Sequence, residues 1–212
     1  MKVLPAYSKI EERCNVISHG VGAIAALAGF VHLLYQASLQ NTWAYWVSAV
    51  VFGFGMILML ASSTFYHMVK GARLRKWLRA CDHGMIFFFI AATYTPFTLL
   101  ALAGKQSIAW TIVVWSIAVV GIILAFIPFP KKAWVEVPLC LALGWLALCI
   151  YGAFSLELGD GVRWLFAGGI VYSLGALVYV VKQLPFNHAL WHCFVLGGAI
   201  CHYVAISGYL MA

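Results

Sequence analysis

Charged side chains are scarce in this chain. They make up 9% of its 212 residues, against about a quarter in an ordinary soluble domain. Only six residues are carboxylates. Hydrophobic residues reach 65% and the mean hydropathy is +0.97. A water-soluble fold of this size could not hide that much apolar surface, so a soluble globular enzyme is excluded. Intrinsic disorder, which needs low hydrophobicity, is excluded too. The six cysteines form no C-x-x-C pair, and five lie in or beside apolar stretches. They read as small buried hydrophobes and build no disulfide framework. The chain has no internal repeat, no low-complexity tract and no period-two alternation of the kind a β-barrel requires. The N-terminal MKVLPAYSKIEERCNVISHG has no lysine-led apolar run followed by a small-residue cleavage site, so no removable signal peptide is expected.

Long apolar runs take the place of charge. A helix crossing a bilayer needs roughly 20 mostly apolar residues, and seven runs meet that need, at 16–37, 43–68, 80–103, 107–127, 133–153, 163–181 and 188–211. Polar punctuation such as SLQN, KGARLRKWLR and PFPKK separates them. The expected fold is an all-α membrane protein, a seven-transmembrane-helix bundle forming one domain over 1–212, with a short cytoplasmic segment at 1–15. Eleven basic residues fall on one side of such a bundle: Lys2, Lys9, Arg13, Lys70, Arg73, Arg75, Lys76, Arg79, Lys131, Lys132 and Lys182. The other side has only Lys105 and Arg163. Cytoplasmic loops collect Lys and Arg, which puts the N-terminus in the cytoplasm and the C-terminus outside. The same asymmetry accounts for the net charge of +7 without nucleic acid. A basic loop at 70–79 meets anionic lipid heads instead.

Ionisable residues inside spans are costly and usually functional. Here they are His19, His32, His67, Asp82, His83, Glu136, His188, His192 and His202. The topology brings Ser63, His67, Asp82, His188 and His192 from three helices to one depth near the cytoplasmic face. His188 and His192 are four apart and share a helix face, as do Ser63 and His67. Two imidazoles on one helix and a third from another make a three-histidine set. Zinc takes neutral imidazole well, and catalytic zinc keeps three protein ligands and a water. Asp82 is placed to accept a hydrogen bond from that water or from a ligand imidazole, and Ser63 to act similarly. The remaining groups read as structural. His83 points about 100° away from Asp82 on the helix and suits an interhelical contact. Glu136 suits a helix start at the interface. His19 suits a structural hydrogen bond or a supporting role near the site. His32 and His202 lie too far toward the outside to join it.

These motifs carry a resemblance. S-x-x-x-H closes the second run at Ser63 and His67, an aspartate opens the third at Asp82 in CDHGMIFFFIAATYTPF, and H-x-x-x-H opens the last in NHALWHCFVLGGAICH. EERCNVISHG near the N-terminus fits the same pattern. The chain resembles the hemolysin III branch of the progestin and adipoQ receptor family, kin to the adiponectin receptors and alkaline ceramidases, over nearly its whole length. The resemblance implies Zn2+ held by His67, His188 and His192, with Asp82 and Ser63 supporting it. It also implies a bacterial cytoplasmic (inner) membrane protein. The long N-terminal region of the eukaryotic receptors has no counterpart here, so a hormone-receptor role is not expected.

Bound zinc lowers the pKa of water to about 7 and polarises a carbonyl. The expected activity is therefore hydrolysis of a lipid amide or ester at the cytoplasmic face, with Asp82 as general base, open to serving later as acid to the leaving group, and membrane lipid as substrate or ligand. Two readings compete. A b-type cytochrome would use histidine spacings such as His188 to His202 and His19 to His32, but leaves His67, Asp82 and His192 unexplained. A non-catalytic, zinc-stabilised membrane regulator or a membrane-active, hemolysin-like protein would hold the metal without turnover.

Overall fold

A computed structural model of the chain describes residues 7–130 and 132–212. Lys2 and Lys131, two of the cations in the asymmetry above, lie outside the described residues. Among the described residues every regular element is helical. The helices are α1 (Lys9–Gln40), α2 (Trp43–Met68), α3 (Ala72–Leu100), α4 (Gly104–Phe126), α5 (Ala133–Trp145), α6 (Tyr151–Leu158), α7 (Val162–Val180) and α8 (Asn187–Ala205). Short 3-10 segments join α5 to α6 and α6 to α7, and a π turn over Ile206–Leu210 continues α8. Six helical stretches are long and apolar enough to cross a membrane. One is the 48-residue run Ala133–Val180, which takes in the apolar run at 133–153 and all but the last residue of that at 163–181.

Two helices begin about two turns before their apolar runs do. α1 starts at Lys9, where the Ser8 hydroxyl accepts from the Glu11 backbone N–H at 3.1 Å. Glu11 and Glu12 occupy the first turn, where carboxylates favour the positive end of the helix dipole. α3 starts at Ala72, so most of KGARLRKWLR is helix and not loop. Hydrophobicity marks where a helix meets hydrocarbon, and the helix itself runs on into the interface. The early starts matter, because they place Glu12 and Arg75 on rigid elements beside the candidate site.

Consecutive helices from α1 to α4 pack side by side, α7 packs along α8, and α1 touches α8 to close the bundle. α7 also contacts both α5 and α6. Close helix approach is bought with glycine. A Cβ on Gly168 would collide with the His202 ring, and one on Gly198 would press on Tyr172. Outward faces are apolar: Ile17, Ile24, Val31, Ile112 and Leu177 are all exposed. The interior keeps the polar side chains, among them Asn15, His19, Ser63, His67, Glu136, His188 and His192. This inversion of a soluble protein's plan is what a lipid solvent demands.

Candidate metal centre

His67 ends α2 and is buried, and His188 and His192 sit one turn apart at the start of α8. One nitrogen from each lies within 4.8 Å of the others, the only such set of three among the described residues. The Nε2 atoms of His67 and His188 are 3.0 Å apart. A tetrahedral ion with Zn–N bonds of about 2.0–2.1 Å would hold its nitrogens roughly 3.3 Å apart, so the spacing suits such an ion.

Hydrogen bonding sets the tautomers. His67 Nδ1 lies 2.7 Å from Glu12 Oε2. A carboxylate only accepts, so Nδ1 carries the proton and Nε2 keeps its lone pair. Arg75 pairs with the other Glu12 oxygen and stands 5.3 Å over the Tyr66 ring. The Asn15 amide lies 3.4 Å from the same His67 nitrogen. His192 is fixed by Ser18. That hydroxyl donates to the Asn15 carbonyl at 3.1 Å, so it accepts from His192 Nδ1, also at 3.1 Å. His192 Nε2 is again left with its lone pair. His188 Nδ1 is buried without a partner among the described residues, and its Nε2 faces His67. The donor set therefore fits a metal that takes neutral imidazole.

Aromatic rings wall the centre. Tyr7, just before α1, stacks on His188 with ring centroids 4.9 Å apart, and His19 stacks on His192 at 3.6 Å and 9°. Both His19 nitrogens are buried without a well-formed hydrogen bond among the described residues. Such desolvated groups cost about 1–3 kcal/mol each. Burial pushes the Tyr7 phenol up from its ordinary value. In the segment after α7, burial and then the nearby Arg79 push Lys182 down, while its ammonium lies 3.7 Å from the centroid of Tyr179.

A cavity of ≈ 160 Å³ opens beside the histidines. Its lining includes Ser63, Asp82, His188 and His192 at one end and Phe154 and His202 at the other. The Ser63 hydroxyl faces the half-buried Asp82 carboxylate. All five residues singled out by the motifs are thus in one place, three as possible ligands and two in the adjoining cavity. His202 donates from Nε2 to the Leu165 carbonyl at 3.1 Å, and His32 meets the Tyr203 hydroxyl at 2.7 Å. Neither joins the three-histidine set.

Sequence reasoning assigned no role to Glu12, Asn15 or Ser18. Their signal was present, since Glu12, Asn15 and His19 follow at spacings of three and four and so share a face of α1. His83 and Glu136, read separately as an interhelical contact and a helix-start carboxylate, prove to be partners 3.0 Å apart, with Glu136 buried.

Residues 7–203 match the haemolysin-III-related family. Hemolysin-3 of Bacillus cereus is 36% identical over 205 residues, covering 95% of this chain and 92% of that protein. The hemolysin-3 homolog of Bacillus subtilis is 35% identical over 204 residues, covering 94% of each. The human monocyte to macrophage differentiation factor is 32% identical over 206 residues, covering 94% of this chain and 84% of that protein. With its apolar helices and this match over nearly its full length, the chain is a multi-pass membrane protein and belongs to the haemolysin-III-related family.

Proposed function

We propose that this protein is a zinc-dependent hydrolase of a lipid amide or ester, working at the cytoplasmic face of a bacterial inner membrane. One observation carries the reading: three buried imidazoles converge, those of His67 and His192 in hydrogen-bonded tautomers, beside a cavity that also holds Asp82 and Ser63. The proposed topology has seven spans, an inside N-terminus and an outside C-terminus. A straight helix of 48 residues would reach about 72 Å, more than twice the roughly 30 Å of hydrocarbon. Contact of α7 with α5 and the positive φ of 50° at Gly159 support a chain that doubles back there.

The chemistry zinc supplies in a three-histidine site is carbonyl polarisation and acidification of water. The rest falls to the chain. Glu12 and Ser18 hold the His67 and His192 rings in their ligating tautomers. Asp82 takes the proton of the attacking water, and Ser63 orients that carboxylate. The cavity beyond is apolar and follows α8 from His188 to His202, roughly 21 Å along the axis. That length suits an acyl chain, with its head group at the interface. The test is fatty-acid release from ceramides, acyl-amides and phospholipids by purified, zinc-loaded protein. Release that fails in Asp82→Asn while its metal is retained supports the reading, and no release from any member overturns it.

A second reading has one observation in its favour. The name of the Bacillus cereus relative, hemolysin-3, favours a membrane-active protein, in which the metal would be structural. In that case Asp82→Asn shifts stability alone.

A further inference from the structure

The cavity contains a second polar pair, one residue along α3 from Asp82. His83 Nδ1 lies 3.0 Å from Glu136 Oε2. The His83 and Glu136 side chains are 19% and 6% exposed, and both line the cavity with Asp82. Lys132 Nζ lies 3.3 Å from the other carboxylate oxygen and donates to the Ala125 carbonyl at the end of α4. Glu136 is thus held in place from α3, α4 and its own helix.

With Glu136 ionised, as its neighbour Lys132 favours, one arrangement of protons satisfies this pair. The carboxylate accepts, so His83 Nδ1–H donates. Nε2 is then the one ring nitrogen able to exchange a proton with a molecule in the cavity. Glu136 fixes the direction of the ring and stands as counter-charge when Nε2 is protonated as well, the part a buried carboxylate plays behind a working histidine.

Hydrolysis of an amide needs such a group. The nitrogen does not depart as an anion, and beside Asp82, which can return the proton it takes from the water, the cavity lining offers His83 as a separate acid. We propose that His83, oriented by Glu136, is the acid that protonates the leaving amine or alkoxide. The assignment rests on the hydrolase reading above. The water oxygen bonds to the acyl carbon and its proton passes to Asp82. The C–N or C–O bond breaks, its electron pair goes to the departing atom, and that atom takes the Nε2 proton of His83. A solvent-borne proton transfer from Asp82 to His83 restores both groups. Asp82 and His83 thereby divide base and acid work between neighbouring residues on one helix.

The experiment uses the full, zinc-loaded chain in lipid nanodiscs. Fatty-acid release is measured from an N-acyl amide and from the 4-nitrophenyl ester of the same acid, whose leaving group departs without a proton. His83→Gln is expected to lower kcat on the amide about 10²- to 10⁴-fold, with KM and bound metal unchanged and ester cleavage within about threefold of the parent. Glu136→Gln, which keeps the side chain's shape, is expected to show the same selective loss to a smaller degree, and it serves where His83→Gln does not assemble. Equal losses on both substrates with full metal content, or no loss on the amide, overturn the assignment while leaving the hydrolase reading intact. Failure of the parent protein to cleave either substrate overturns both.

Discussion

Glu12 on the first helix and His67 at the end of the second meet at 2.7 Å, carboxylate Oε2 to ring Nδ1, so one helix determines which nitrogen of the other faces the candidate metal centre. Arg75 holds the second oxygen of Glu12. The residue behind a ligand imidazole typically contributes 10–100-fold in metal affinity. Glu12→Gln should therefore weaken zinc binding by about that factor, measured by competition with a chromophoric chelator. Unchanged affinity would mean that the contact does not orient the ring.

Metal removal should loosen the bundle. α2 and α8 are far apart in sequence, and His67 on one meets His188 and His192 on the other. A ligand that binds only the folded state stabilises it by mass action. A strong chelator should lower the apparent Tm of the parent protein in detergent and leave that of His188→Ala unchanged. Equal shifts in both would place the metal elsewhere.

Asp82 should separate binding from turnover. It lines the cavity but lies outside the three-nitrogen set. Asp82→Asn should keep its metal by elemental analysis and lose about 10²-fold or more of any lipid hydrolysis. Loss of the metal itself would make Asp82 a structural support of the ligands.

Packing between α7 and α8 gives a test independent of the metal. A Cβ on Gly168 has no room against His202, whereas nothing lies within 4 Å of one on Gly144. Gly168→Ala should cost about 1–3 kcal/mol, as overpacked sites do, seen as a lower Tm. Gly144→Ala should leave Tm unchanged or slightly raised. Equal behaviour of the two would show that α7 and α8 do not approach this closely.

Much of this was legible in the sequence. The spans follow from unbroken apolar runs, and His67, His188 and His192 from ionisable groups placed where lipid makes them costly. Spacing of four on a helix is enough to say that His188 and His192 face the same way. The pairing of Glu12 with His67 was not legible, because spacing puts Glu12, Asn15 and His19 on one face of α1 but nothing local says which helix that face meets or how far α1 extends beyond its apolar run. His83 with Glu136 was hidden for the same reason. Each has an acceptable local explanation, and only the packing of α3 on α5 shows that they are partners. The break within Ala133–Val180 was visible as SLELGDG, but as polar punctuation and not as the succession of 3-10 turns that carries the chain through it.

The most direct measurement is elemental analysis of the purified protein beside His192→Ala. The account predicts about one zinc per chain in the parent protein and almost none in the variant, with both folded by circular dichroism. A parent protein free of transition metal, or a variant that keeps its full complement, would contradict it.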